Sequence, residues 1–252
     1  MRTVKTTMLA AMLGAGIAAS GTAFAADMPE PYVEPVVPVI ATGGWYLRGD
    51  IGYKWYNNPS ISFATNTYVD EWNNSSLDST GLIGAGAGYR FNDHFRVDGT
   101  VDYEFQSGVY GEGYCGGCGA KYGVDHTTET ADIDAWTFLV NGYVDVGTWS
   151  GFTPYLGAGI GTSYLQTSNV AFVNPDGVNG SWESGSQWNF AWALMAGVSY
   201  AFSPNMAVDL NYRYLNLGDA VSGYIPAGGG GVINYDNISA NEIRLGLRYN
   251  FY

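Results

Sequence analysis

The chain has 252 residues, with 36 Gly, 20 Tyr and 8 Trp, only 13% charged residues and a formal net charge of −13. That acidic balance argues against nucleic acid as a partner, because holding phosphate backbones takes basic patches. After the first 25 residues, no stretch approaches the roughly 18 consecutive apolar positions of a spanning helix.

Residues 1–25 read as a secretory signal peptide. Arg2 and Lys5 form a basic start, Met8 to Ala19 an apolar run too short to span a bilayer, and Ala23-Phe24-Ala25 a cleavage site of the A-x-A type. Removing that leader leaves eight basic residues against the same 23 acids, so the exported chain carries −15. Residues 26–44, with four prolines and three acids, read as an extended tether.

From residue 45 the pattern changes to strict alternation. In 45–55 one face is Trp45, Leu47, Gly49, Ile51, Tyr53 and Trp55, opposed by Tyr46, Arg48, Asp50, Gly52 and Lys54. The same grammar recurs over 81–91, 95–105, 134–146, 152–164, 190–202, 206–216 and 241–251. These eight strands, each about eleven residues, have the length a tilted strand needs to cross a bilayer. The connections after strands two, four and six are short (92–93, 147–151, 203–205), while those after strands one, three, five and seven are long and rich in Gly, Asn, Ser and Asp. Short turns on one side and long loops on the other predict an all-β fold, an eight-stranded antiparallel transmembrane up-and-down β-barrel over 45–252, with both termini in the periplasm.

A soluble barrel would put its charges outside; the alternation puts them inside. The predicted inward bases are Arg48, Lys54, Arg90, Arg96, Arg213, Arg244 and Arg248, and the inward acids Asp50, Asp98, Asp102, Glu104, Asp145, Asp209 and Glu242. Equal numbers of each sign suit a closed polar lumen in which buried charges pair. The opposite face has no charge within its spans, as lipid requires. One threading also sorts the outward aromatics into two girdles. Trp45, Phe91, Phe95, Phe152, Tyr200, Phe202, Tyr249 and Phe251 form one, and Trp55, Tyr103, Phe105, Trp136, Tyr164, Phe190, Tyr212 and Tyr214 the other.

Candidate chemistry is sparse. The glycines of "GAGAGY" (84–89) and "YLGAGIG" (155–161) do not follow the nucleotide-loop pattern and are expected to leave room for large neighbours. Cys115 and Cys118 in "YCGGCG" predict a local disulfide in an oxidising compartment. As a metal site the pair would be half a ligand set, with His94 and His126 the only histidines. Catalysis would need a positioned base; His126 has Asp125 and Glu129 beside it, but nothing in the sequence orients them. No enzyme activity, cofactor or metal is predicted. The sixteen acids outside the lumen set face one base, Lys121, and most fall in the long loops: Asp70, Glu71, Asp78, Glu112, Asp125, Glu129, Asp132, Asp176, Glu183, Asp219 and Asp236. Such loops would suit divalent cations bridging lipopolysaccharide, or basic host factors.

The segments "GGWYLRGDIGY" (43–53), "FTPYLGAGIG" (152–161), "YRYLNLG" (212–218) and "RLGLRYNF" (244–251) resemble, in order, the opacity-protein-like, porin-family β-barrel surface antigens of alphaproteobacterial outer membranes. The resemblance implies a monomeric barrel that supports envelope integrity and surface interactions. Its partners would be outer-membrane lipid and lipopolysaccharide, the outer-membrane assembly machinery, and either peptidoglycan or host surface factors. A narrow channel for ions or small solutes is the alternative reading. The closing Leu247, Tyr249 and Phe251 resemble the C-terminal signal read by that machinery, with Tyr252 as an overhang.

Overall fold

The structure, a computed structural model, describes residues 43–63, 69–115, 126–225 and 231–251. The predicted leader, the tether up to residue 42, the side chains of the Cys115–Cys118 pair, Lys121 and Tyr252 lie outside the described residues. The strands are β1 (Gly44–Tyr56), β2 (Ser60–Phe63), β3 (Val69–Leu77), β4 (Thr80–Arg90), β5 (Phe95–Cys115), β6 (His126–Asp145), β7 (Phe152–Val173), β8 (Asn179–Ser181), β9 (Gly185–Ala201), β10 (Met206–Val221) and β11 (Ile233–Asn250). Eight of them, in the order β1-β4-β5-β6-β7-β9-β10-β11, form an antiparallel ring that β11 closes onto β1 from Tyr46↔Asn250 to Tyr56↔Ala240. Closure removes both sheet edges, which an apolar solvent cannot hydrogen-bond. The short β2, β3 and β8 pair with β11, β5 and β7 where the long strands outrun their neighbours.

Three turns, at 91–94, 146–151 and 202–205, define the turn end of the barrel; the longer connections define the loop end. The Asn92 side chain accepts from the backbone N–H of His94 (2.8 Å) and Phe95 (2.9 Å), which closes the first of these turns. The first girdle, Trp45, Phe91, Phe95, Phe152, Tyr200, Phe202, Tyr249 and Phe251, is exposed near the turn end. Of the second, Phe105, Trp136, Phe190 and Tyr212 are exposed further up, Trp55, Tyr103, Tyr164 and Tyr214 are half-buried, and Tyr53 and Trp188, not in the expected set, are exposed as well.

The strands differ from expectation in length. β5, β6 and β7 run to 21, 20 and 22 residues, and the additions lie at the loop end. Glu112, Glu129 and Asp132, expected in loops, therefore belong to strands, as do Asp70 and Glu71 of β3, Asp219 of β10 and Asp236 of β11. β6 shows why the ladder continues. Its outward residues from the turn end are Val144, Gly142, Val140, Phe138 and Trp136, and then Asp134, Asp132, Thr130 and Thr128. Its inward residues are Asp145, Tyr143, Asn141, Leu139 and Thr137, and then Ala135, Ile133 and Ala131. At one height both faces exchange polarity, so the extension buries apolar side chains inside and presents polar ones to water.

Bulges fall within this extension. On β5 the register shifts between Glu104 and Ser107, so inward parity changes from even to odd. Asn169 (φ 51°), Gly218 (φ 84°) and Asn237 (φ 60°) mark irregularities on β7, β10 and β11 in left-handed backbone, which Gly and Asn tolerate best.

Candidate functional site

The barrel interior is where the sequence concentrates its chemistry, and the structure places all fourteen predicted ionisable residues on the inner face, each buried. They assemble in three tiers. The tier nearest the loop end is centred on Asp102 of β5. Its carboxylate accepts from Arg213 Nη1 at 2.8 Å and from Arg244 Nη1 and Nη2 at 3.0 and 2.5 Å. Lys54 stands 3.3 Å from Glu104 and 3.2 Å from Glu242, and Thr137 Oγ1 donates to Glu104 at 2.8 Å. Lys54, Glu242 and Arg213 are direct cross-strand partners, so opposite charges face each other around the wall from β1 to β11 to β10.

In the middle tier Arg48 makes a fork to Asp50 (2.9 and 2.7 Å) and reaches Asp98 at 3.1 Å. Asp98 also accepts from Tyr46 Oη (3.0 Å), Asn141 Nδ2 (2.8 Å) and Tyr143 Oη (3.2 Å). Toward the turn end, Arg96 donates through Nε to Asp145 at 3.1 Å and lies between the rings of Tyr143 and Tyr155, 4.2 and 4.3 Å from their centroids. Such stacking on aromatic faces suits the planar guanidinium. Arg90 approaches Asp145 at 3.6 Å, while Arg248 donates to Ser199 Oγ at 2.7 Å and stands 3.7 Å from Asp209.

Inward glycines make space for these large groups. A Cβ on Gly84 would meet Asp102 and Arg244, one on Gly88 the Tyr46 ring, and one on Gly246 the Asp50 carboxylate. Tyr46, Asn141, Tyr143 and Tyr155 are working members of the network that the charge pattern alone did not single out. The signal was available, because Asn141 and Tyr143 share the parity of Asp145.

Above the charged tiers the interior becomes apolar. Ile61, Leu77, Val109, Ala131, Ile133, Leu165, Val170, Leu215, Leu217, Ile233, Tyr235 and Ile238 belong to one buried cluster. Within it lies Glu129, 5% exposed, whose Oε1 accepts from Tyr235 Oη at 2.7 Å. Burial pushes the Glu129 carboxyl up to about 7. His126 stands at the start of β6 with its ring edge-on to Tyr114, and His94 is on an exposed turn. His126 and Glu129 lie on opposite faces of β6, so those two are not brought together; Asp125, the other acid beside His126 in the sequence, lies outside the described residues.

A closed ring of eight strands, apolar outside between two aromatic girdles and ionic inside, defines an outer-membrane barrel. The chain belongs to the family of the outer membrane protein beta-barrel domain, which matches residues 8–251. A relative is an uncharacterized protein of Brucella abortus (strain 2308), 35% identical over 96% of this chain and 98% of its own length. The outer membrane protein PagN of Salmonella typhimurium is 29% identical over 84% of this chain and 91% of its own length. A putative adhesin of Rickettsia bellii is 28% identical over 81% of this chain and 87% of its own length. The outer membrane protein OprG of Pseudomonas aeruginosa shares the fold, with a TM-score of 0.54 at 15% identity over 86% of this chain and all of that one. The protein is thus an outer-membrane β-barrel whose relatives include surface proteins.

Proposed function

We propose that the protein is a non-conducting structural barrel that supports envelope integrity and presents its loop end for surface interactions. What supports this reading is the buried content of the interior, three tiers of paired charge followed by an apolar cluster. Eight strands leave an interior that side chains just fill, whereas water-filled porins use sixteen or more. The putative adhesin among the relatives supports the surface role. We read the chain as non-enzymatic, because His126 and Glu129 face opposite ways. Short turns at the end carrying Trp45 and Phe251 favour periplasmic termini, with the loop end outside the cell.

The partners follow from this orientation: lipid around the apolar band, lipopolysaccharide and host factors around the acidic loop end, and the assembly machinery at strand β11. Peptidoglycan would lie on the side of the tether. Planar bilayer recording tests the reading: a flat current at neutral pH is expected, and single-channel steps would establish the narrow channel instead. For assembly, Phe251 stands outward with its ring edge-on to Tyr249 (centroids 5.0 Å apart), so Phe251→Ala should lower the heat-modifiable folded fraction in outer membranes.

A further inference from the structure

We propose that Glu129 and Tyr235 form a proton-operated clasp that locks the loop-end half of the barrel when it is acidified. The geometry is unusual for a carboxyl. β6 and β11 stand four places apart in a ring of eight, on opposite walls, so the 2.7 Å hydrogen bond from Tyr235 Oη to Glu129 Oε1 crosses the lumen. Tyr235 is fully buried. Glu129 lies seven residues beyond Trp136 on β6, roughly 23 Å along the strand, well outside the apolar band.

No described cation faces this carboxyl. On its own strand Thr127 and Ala131 share its face, and His126 and Asp132 point outward. On β5 its register partner is Gly111, with Glu112 on the outer face. On β7 its register partner is Phe172, and the neighbouring inward residue is Val170. On β11 Tyr235 points in, with Asp236 on the other face, and on β2 Tyr235 pairs with Ile61 between Ser60 and Ser62. Every described Lys and Arg belongs to the charged tiers. The nearest of these rows, Glu104 with Lys54, is level with Ala135, six residues back along β6 and roughly 20 Å away. At that distance a unit charge acts on the carboxyl with about 1 kcal/mol at an effective dielectric of about 20, and Lys54 and Glu104 act with opposite signs.

An ionised carboxylate in an apolar cluster, held by one neutral donor, is poorly compensated. The protonated acid is neutral and keeps a hydrogen bond to the same tyrosine. Burial accordingly raises the carboxyl from its ordinary 4.5 to about 7. The folded clasp binds its proton more tightly than the opened one, so its stabilisation is full below pH 4.5 and is lost as pH rises through about 7. Acidification tightens the surface-exposed half, and mild alkali loosens it.

Hydrogen exchange on the full barrel in lipid bilayers tests this, after correction for the intrinsic pH dependence of exchange. Protection of amides in Thr127–Ile133 and Ile233–Ile238 should fall on the order of 100-fold from pH 5 to pH 9, while Thr137–Asp145 should hold steady. Glu129→Gln keeps an acceptor for Tyr235 and should stay protected at both pH values. Uniform protection in the wild type, or an undiminished pH response in E129Q, would overturn the proposal. If E129Q does not assemble, carboxyl NMR of the wild type decides: a Glu129 midpoint near 7 supports the clasp, and one between 4 and 5 sinks it. Tyr235→Phe removes the donor that favours the carboxylate, so the midpoint should move up; a downward or absent shift would remove Tyr235 from the device.

Discussion

On the turn-end side of Trp136 the barrel wraps lipid around ions, and beyond Asp134 it wraps water around hydrocarbon. One strand, β6, passes through both regimes without a break in its inward parity. The antiparallel ladder of β6 runs on through both regions, interrupted by bulges only on its neighbours, so hydrogen bonding does not choose which face is apolar. The surroundings choose. In the bilayer the outward face must match acyl chains and the inward face takes the polar groups, whereas in water the hydrophobic effect restores the arrangement of a soluble barrel. The two halves should therefore fail in different ways.

The largest difference is expected where charge is buried. Asp102 holds both Arg213 and Arg244, so Asp102→Ala leaves two guanidinium groups facing each other with the more distant Glu242 (3.9 and 3.3 Å) and, for Arg244, Asp50 (3.7 Å) as remaining partners. Breaking a buried ion pair from one side costs about 3–5 kcal/mol. Denaturant unfolding in lipid vesicles should show a loss of that size for the whole barrel. Ile133→Ala removes a fully buried side chain from the apolar cluster and should cost about 2–5 kcal/mol, at the lower end if the neighbouring strands close over the gap. Its signature should be local: faster amide exchange in the loop-end half, with heat-modifiable migration retained. If D102A and I133A loosened the same amides equally, the two regions would be one cooperative unit and the contrast would fall.

The outward faces give the next test. Val140, 61% exposed near the middle of the apolar band, should tolerate Arg poorly, at about 2–4 kcal/mol. Thr130, ten residues along the same outward row and beyond Asp132, should accept Arg within about 0.5 kcal/mol. Equal costs at both sites would move the membrane boundary past the extension.

The positions of failure in the sequence reading follow the same division. All fourteen lumen charges were legible because the bilayer allows charge on one face only, and a single parity ran through each span. The extensions were not. On β5 the bulge at Glu104–Ser107 reverses parity, so a strand followed by strict alternation ends at Phe105 although the ladder continues to Cys115. On β6 the parity persists, but Asp132 and Glu129 in a stretch without outward aromatics read as loop, because the expected polarity was that of the membrane. Tyr235 was hidden for a related reason: Asn237, in left-handed backbone, separates its parity from that of Glu242 and Arg244. What a sequence reader lacks at such points is the knowledge of where the solvent changes.

Glycine offers the smallest and cleanest version of the contrast. Gly84 and Gly99 both lie in membrane-spanning rows with ordinary strand backbone, but they point to opposite sides. A Cβ on Gly99 meets nothing within 4 Å among protein atoms, so Gly99→Ala enters lipid and narrows the unfolded chain's freedom. That substitution should be neutral or stabilising by up to about 1 kcal/mol. Gly84→Ala drives its methyl group into the Asp102 carboxylate and comes within 2.8 Å of Arg244 Nη2. Neither group can yield without loosening the tier that Asp102 anchors, so a cost of about 1–3 kcal/mol is expected. Paired unfolding measurements on G84A and G99A in one lipid should give opposite signs. The same sign for both would mean that the tier is soft enough to move aside, and that the lumen is held by shape less tightly than its short ionic contacts imply.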